Sequence, residues 1–93
     1  MTLYDLATLI NKQIEILHRP SETLDSSSLW YAKLDDVEIK DGAILSGSFG
    51  NGRTPEEALQ NYVKELKGQK IVIDAFSKDK RTVLDLPSTL TLK

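Results

Sequence analysis

One segment leaves the chain almost no freedom. Thr54-Pro55-Glu56-Glu57 is followed by Ala58, Leu59, Tyr62, Val63 and Leu66, and then by Gly68. Thr54 is a helix N-cap, and Pro55 sits at the first helical position, where a missing N–H is no loss. Glu57, two residues further on, completes a capping box. The apolar residues recur at spacings of three and four, which is one face of a helix. Lys64 and Lys67 suit the negative end of the helix dipole, and Gly68 can take the left-handed conformation that ends it. The spacing therefore predicts a helix over residues 54–67. In a chain of 93 residues, which forms one small domain (1–93), everything else must pack around that helix.

A second helix is predicted over residues 1–18. Thr2 caps it, with an acid at Asp5. Leu3, Leu6, Ala7, Ile10, Ile14 and Leu17 form its stripe, and His18-Arg19-Pro20 ends it. Leu9 and Ile16 widen the stripe, which points to contact with a second surface. Residues 21–28 are polar and read as a loop. A hairpin follows over 29–49: Trp30, Ala32 and Leu34 alternate with Leu29, Tyr31 and Lys33, Asp35-Asp36 interrupts as a bulge or a turn, and Lys40-Asp41-Gly42 turns the chain. Ala43 to Phe49 returns, with Gly47 as a point of close backbone approach, and Gly50-Asn51-Gly52 reads as a sharp loop. A last hairpin over 70–86 runs through Ile71-Val72-Ile73 to Phe76, turns at Ser77-Lys78-Asp79-Lys80-Arg81, and leaves a loose tail at 87–93. The order α-β-β(-β)-α-β-β implies an α+β fold, an antiparallel sheet with two helices.

Composition removes several chemistries. The chain contains no cysteine, so disulfides, thiolate zinc sites and thiol catalysis are excluded. No apolar run is long enough to span a bilayer, and the N-terminus has no signal-peptide pattern, so a cytoplasmic protein is expected. There is one histidine, His18, too little for a nucleophile–base–acid set, and no catalytic residue or cofactor is expected. Asp35, Asp36, Glu38 and Asp41 lack the spacing of a calcium loop, so no metal site is assigned.

The stretch Gly47-Ser48-Phe49-Gly50-Asn51-Gly52-Arg53-Thr54 has the spacing of a phosphate-binding loop, with arginine where lysine should stand. The competing reading is a tight strand-to-helix connection. In the first reading, Arg53 and Thr54 would contact an anion at the helix N-terminus.

Net charge is −2, but it is unevenly spread. Residues 22–41 hold six acids against Lys33 and Lys40, while residues 64–81 hold six bases against Glu65, Asp74 and Asp79. Lys78, Lys80 and Arg81 in one turn could meet phosphates, which keeps nucleic-acid binding open. The competing reading is that Trp30, Tyr62 and Phe76 are core, and that the bases are a solvated turn.

Gly52-Arg53-Thr54-Pro55-Glu56-Glu57-Ala58-Leu59, within the span from about Leu29 to Ala75, resembles the HicB-type antitoxin domain. That resemblance implies strands leading into a helix and out to another strand, in a HicB-like or double-stranded-RNA-binding-domain-like sandwich. Thr54-Pro55-Glu56-Glu57-Ala58, Tyr62 and Lys78-Asp79-Lys80-Arg81 also resemble short phage and prophage proteins of low-GC Gram-positive bacteria. That likeness spans nearly the whole chain and implies a mobile-element context, with no mechanism to lend.

The sequence thus favours a non-enzymatic protein-binding or regulatory module that forms a homodimer, with Leu9, Ile16, Trp30 and Tyr31 at the interface. The alternatives are a nucleic-acid-binding module built on Lys78, Lys80 and Arg81, and a HicB-like antitoxin.

Overall fold

The computed structural model describes residues 1–18 and 29–93; the expected loop over 21–28 and the Arg19-Pro20 helix stop lie outside them. The fold is α+β, with two helices and two antiparallel sheets among the described residues. Helix α1 is Leu3–Ile10 and strand β1 is Ile14–His18. Strands β2 (Trp30–Leu34), β3 (Val37–Asp41), β4 (Ile44–Gly47) and β5 (Gly50–Gly52) follow. Helix α2 (Pro55–Leu66), β6 (Lys70–Ile73) and β7 (Thr82–Asp85) complete the chain. One sheet has the order β1-β2-β5, and the other β4-β3-β6-β7.

The first helix is half as long as its apolar stripe predicts. Thr2 and Asp5 form the expected capping box, with reciprocal bonds of 3.0 and 3.1 Å. Asn11 then adopts a left-handed conformation (φ 55°), and its N–H bonds back to Ala7 and Thr8. Asparagine is among the few non-glycine residues that tolerate this geometry. The chain is thereby released into β1, where Ile14, Glu15, Ile16 and Leu17 pair with Leu34, Lys33, Ala32 and Tyr31. His18 is therefore the end of a strand, not of a helix. Ile10, Ile14 and Leu17 satisfy helical spacing by coincidence, since β-branched residues at 14 and 16 also suit a strand.

The predicted sharp loop at Gly50–Gly52 is strand β5, paired with β2 and lying directly under α2. A methyl group on Gly50 would stand 2.2 Å from the Ala58 carbonyl oxygen and from the Tyr62 backbone nitrogen. One on Gly52 would stand 2.4 Å from the Ala58 nitrogen. Helix and strand therefore touch backbone to backbone, and only glycine fits. Gly47, expected to mark such an approach, has nothing within 4 Å of its missing methyl.

Among the described residues the chain passes three times between the sheets: at Asp35-Asp36, where Asp36 has φ 53°, at Ser48-Phe49, and through α2 between β5 and β6. Asp35-Asp36 is thus a turn that changes sheets, and the return strand expected over Ala43 to Phe49 is shorter, ending at Gly47. The alternation predicted in β2 holds, with Ala32 and Leu34 fully buried. These residues join Leu3 and Leu6 of α1, Tyr62 and Leu66 of α2, and Ile71 of β6 in one apolar cluster.

The tail is not loose. Leu90 and Leu92 belong to the same cluster. Thr91 bridges to the N-terminus, its carbonyl accepting from Leu3 N–H at 2.8 Å and its N–H donating to the Met1 carbonyl at 3.1 Å. Hydrophobic residues at every second position bring this segment into the core, as they would in a strand.

Candidate binding surface

Strand β6 ends at Ile73, three residues earlier than the sequence suggests, because Asp74 takes a left-handed conformation (φ 54°). Asp74 is held there on three sides. Its N–H donates to the Asp36 carbonyl at 3.2 Å, and Ser77 N–H donates to its own carbonyl at 2.9 Å. Its carboxylate accepts from Lys12 Nζ at 2.5 Å. Lys12 also lies 3.7 Å from the Asp36 carboxylate. The Asp74 hydrogen bond and the carboxylates beyond it raise the Lys12 pKa above its ordinary value. Asp36 and Asp74, two of the three non-glycine residues of positive φ among those described, thus meet around a single ammonium group, carried by the residue that follows the third, Asn11.

The anchored turn Asp74–Ser77 projects Phe76 into solvent, 93% exposed. The sequence carries Phe76 into the strand and leaves it either core or an exposed aromatic for stacking; the early end of β6 takes it out of the strand and out of the core. Beyond it, Lys80 N–H donates to Ser77 Oγ at 3.2 Å, and the Thr82 hydroxyl donates to the Lys80 carbonyl at 3.1 Å. These bonds leave Lys78, Lys80 and Arg81 exposed along one loop. Beside Phe76 is a cleft of about 260 Å³ lined by Asp36, Glu38, Asp74, Ala75, Phe76 and Ser77. A second cleft, about 290 Å³, shares Asp36 and Glu38 in its lining and also includes Phe49. Carboxylates thus line the cleft beside Phe76, while Lys78, Lys80 and Arg81, with Asp79 among them, follow it along the loop.

The residues singled out for an interface fall on three surfaces. Ile16, on the edge strand β1 and 39% exposed, shares a face of the β1–β2 pair with Trp30, whose ring packs tilted against His18 with centres 4.7 Å apart. Tyr31 is on the opposite face and meets Phe49 edge-on at 6.1 Å. Leu9 is on α1, lining a groove of about 340 Å³ with Ile10, Ile73, Asp74, Thr82 and Leu84.

The helix N-terminus offers little to an anion. The Thr54 hydroxyl accepts from Glu57 N–H at 3.1 Å, and the Glu57 carboxylate reaches the Arg53 N–H at 3.5 Å. The capping box is thus displaced by one residue, with Arg53 in the place expected of Thr54. Glu56 and Glu57 already put negative charge in the first turn, which opposes a second anion. With Gly50 and Gly52 in a strand, the phosphate-loop reading has no loop to stand on. Among the described residues, no three histidine, aspartate or glutamate side chains are grouped to hold a metal ion. No described helix is long and apolar enough to cross a membrane.

Comparison with protein-family models, with curated proteins and with solved structures gives no match to this chain.

Sequence reasoning missed the Lys12–Asp36–Asp74 cluster and the display of Phe76. The available signal was the run Ile71-Val72-Ile73 halting at an aspartate, a residue that favours turns and left-handed geometry over strand interiors.

Proposed function

We propose that this chain is a non-enzymatic, cytoplasmic protein-binding module that associates with a second copy of itself. The observation that carries the reading is Phe76, a large apolar side chain 93% exposed on a turn braced to keep it out. A phenylalanine gains about 1.5–3 kcal/mol on full burial, so its display favours a complex in which it is covered. The role of His18 fits a non-catalytic chain, since its ring is engaged with Trp30. Sedimentation equilibrium tests the reading: a dimer mass at micromolar concentration is expected, and a monomer up to millimolar concentration rejects it.

A second reading is favoured by the same loop. Lys78, Lys80 and Arg81 beside an exposed aromatic make the combination that holds single-stranded nucleic acid, a base stacked on a ring and phosphates on cations. It predicts binding of a labelled single-stranded oligonucleotide that weakens with salt and with neutralisation of the three bases. The carboxylates of Asp36, Glu38 and Asp74 beside Phe76 oppose a phosphate backbone, which places this reading second. The likeness of residues 52–59 to HicB-type domains supports a third role of the first kind, a phage-borne regulator whose partner is a toxin. A toxin reading frame beside the gene would support it.

A further inference from the structure

We propose that the β6–β7 loop is the surface through which two copies of this chain dock, Phe76 stacked on Phe76 across a two-fold axis. The basic turn of each copy sits over the acidic cleft of the other. This proposal rests on the self-associating reading above and names its interface.

Symmetry carries the argument. An isologous interface must be complementary to itself: whatever lies on one side of the axis must bind what lies on the other. Asp36, Glu38 and Asp74 line the cleft beside Phe76, and Lys78, Lys80 and Arg81 follow it along the loop, exposed, with Asp79 among them. In the proposed dimer the two-fold sets the cations of each copy against the carboxylates of the other, so the charges pair twice while the aromatic pair is covered at the centre. That is the arrangement of a protein interface, with an aromatic anchor inside and charges at the rim. A polyanion would satisfy the cations and be repelled by the carboxylates. A cationic peptide would do the reverse. A second copy satisfies both.

The loop is also built to bind without rearranging. Ser77 N–H to the Asp74 carbonyl, Lys12 to the Asp74 carboxylate, and Lys80 N–H to Ser77 Oγ hold it in shape. A braced loop loses little conformational freedom on docking. The second cleft, which shares Asp36 and Glu38 with the first and includes Phe49 in its lining, offers surface beyond the aromatic pair, as a stable interface of standard size requires.

The test is sedimentation equilibrium of the full chain with five variants, one of them a double substitution, each checked for an unchanged thermal transition. Wild type is expected to be a dimer and Phe76→Ser a monomer; Phe76 is exposed, so its removal leaves the fold intact. Glu38→Lys and Lys80→Glu are each expected to weaken the dimer at least tenfold, and the two combined to recover most of that loss. A Phe76→Ser chain that stays dimeric overturns the interface. If Ile16→Lys dissociates it instead, self-association stands but runs through the β1 edge. A monomeric wild type defeats both the interface and the reading beneath it. Phe76-dependent binding of a single-stranded oligonucleotide by that monomer would reassign the loop to nucleic acid.

Discussion

The phenol oxygen of Tyr62 accepts the backbone N–H of Leu34 at 3.0 Å, in the interior of the protein. In an antiparallel ladder, successive residues of a strand bond alternately to the neighbour on either side. Asp35 N–H bonds across to the Gln13 carbonyl on the β1 side, so the Leu34 N–H points the other way, toward β5. The pairing of β5 with β2 ends at Ala32 and Gly50. Tyr62, reaching down from α2, takes the place of the missing strand residue.

Tyr62→Phe keeps the ring and removes the acceptor. A buried N–H left without a partner costs about 1–3 kcal/mol. Urea denaturation is expected to show that loss with an unchanged slope. A loss below a few tenths of a kcal/mol would mean that Leu34 finds another partner.

Gly50→Ala is expected to be far worse, because the added methyl meets backbone atoms of α2 at 2.2 Å and no rotamer can relieve it. Overpacking at a backbone contact should cost about 3 kcal/mol or more, visible as lost cooperativity or failure to fold. Gly47→Ala is the control; with nothing within 4 Å, its effect on the midpoint should be within about 0.5 kcal/mol.

Alkaline pH should loosen the Phe76 loop. Asp74 raises the Lys12 pKa above its ordinary 10.5. A group whose folded value is the higher one contributes stability that is complete below the unfolded value and is lost as pH rises through the folded one. Tyr62 is also raised, by burial, above 10.0, and titrates in the same direction. The comparison therefore belongs in a Tyr62→Phe background. There, Lys12→Met should reduce the fall in stability above about pH 10.5. It should also speed amide exchange at Ala75, Phe76 and Ser77 at neutral pH. Unchanged exchange would mean that the hydrogen bonds of the turn suffice without the ion pair.

The tail should matter to stability. Leu90 is fully buried, and its replacement by alanine in a core of this kind costs about 2–5 kcal/mol. Thermal unfolding of Leu90→Ala should show a correspondingly large drop in midpoint. A drop of only a degree or two would mean that residues 88–93 fray in solution.

What the sequence reveals follows the range of the forces involved. Caps are local, so Thr2 with Asp5 and Thr54 with Glu57 are legible from a few residues. The burial of Ala32 and Leu34 is legible from alternation within one strand. The Asn11 helix end is hidden in the sequence because Ile10, Ile14 and Leu17 fit two periods at once, and a left-handed asparagine carries a weaker signal than glycine. Gly50 and Gly52 look like loop residues until a helix is known to lie on them. Phe76 sits in a stretch of strand propensity that carries through it, whereas the turn that exposes it is braced by Lys12, more than sixty residues away in sequence. The candidate surface is therefore almost wholly a product of tertiary contact.

The interleaving of the two sheets has a consequence for how the molecule assembles. The sheet β1-β2-β5 draws on residues before and after β3 and β4, and the sheet β4-β3-β6-β7 on residues before and after α2. No contiguous stretch of chain contains one whole sheet without strands of the other. A cut anywhere between β3 and β5 separates paired strands in both sheets, so neither piece could close both of its hydrogen-bond ladders. Folding should accordingly be all-or-none, with no stable half on either side of such a cut.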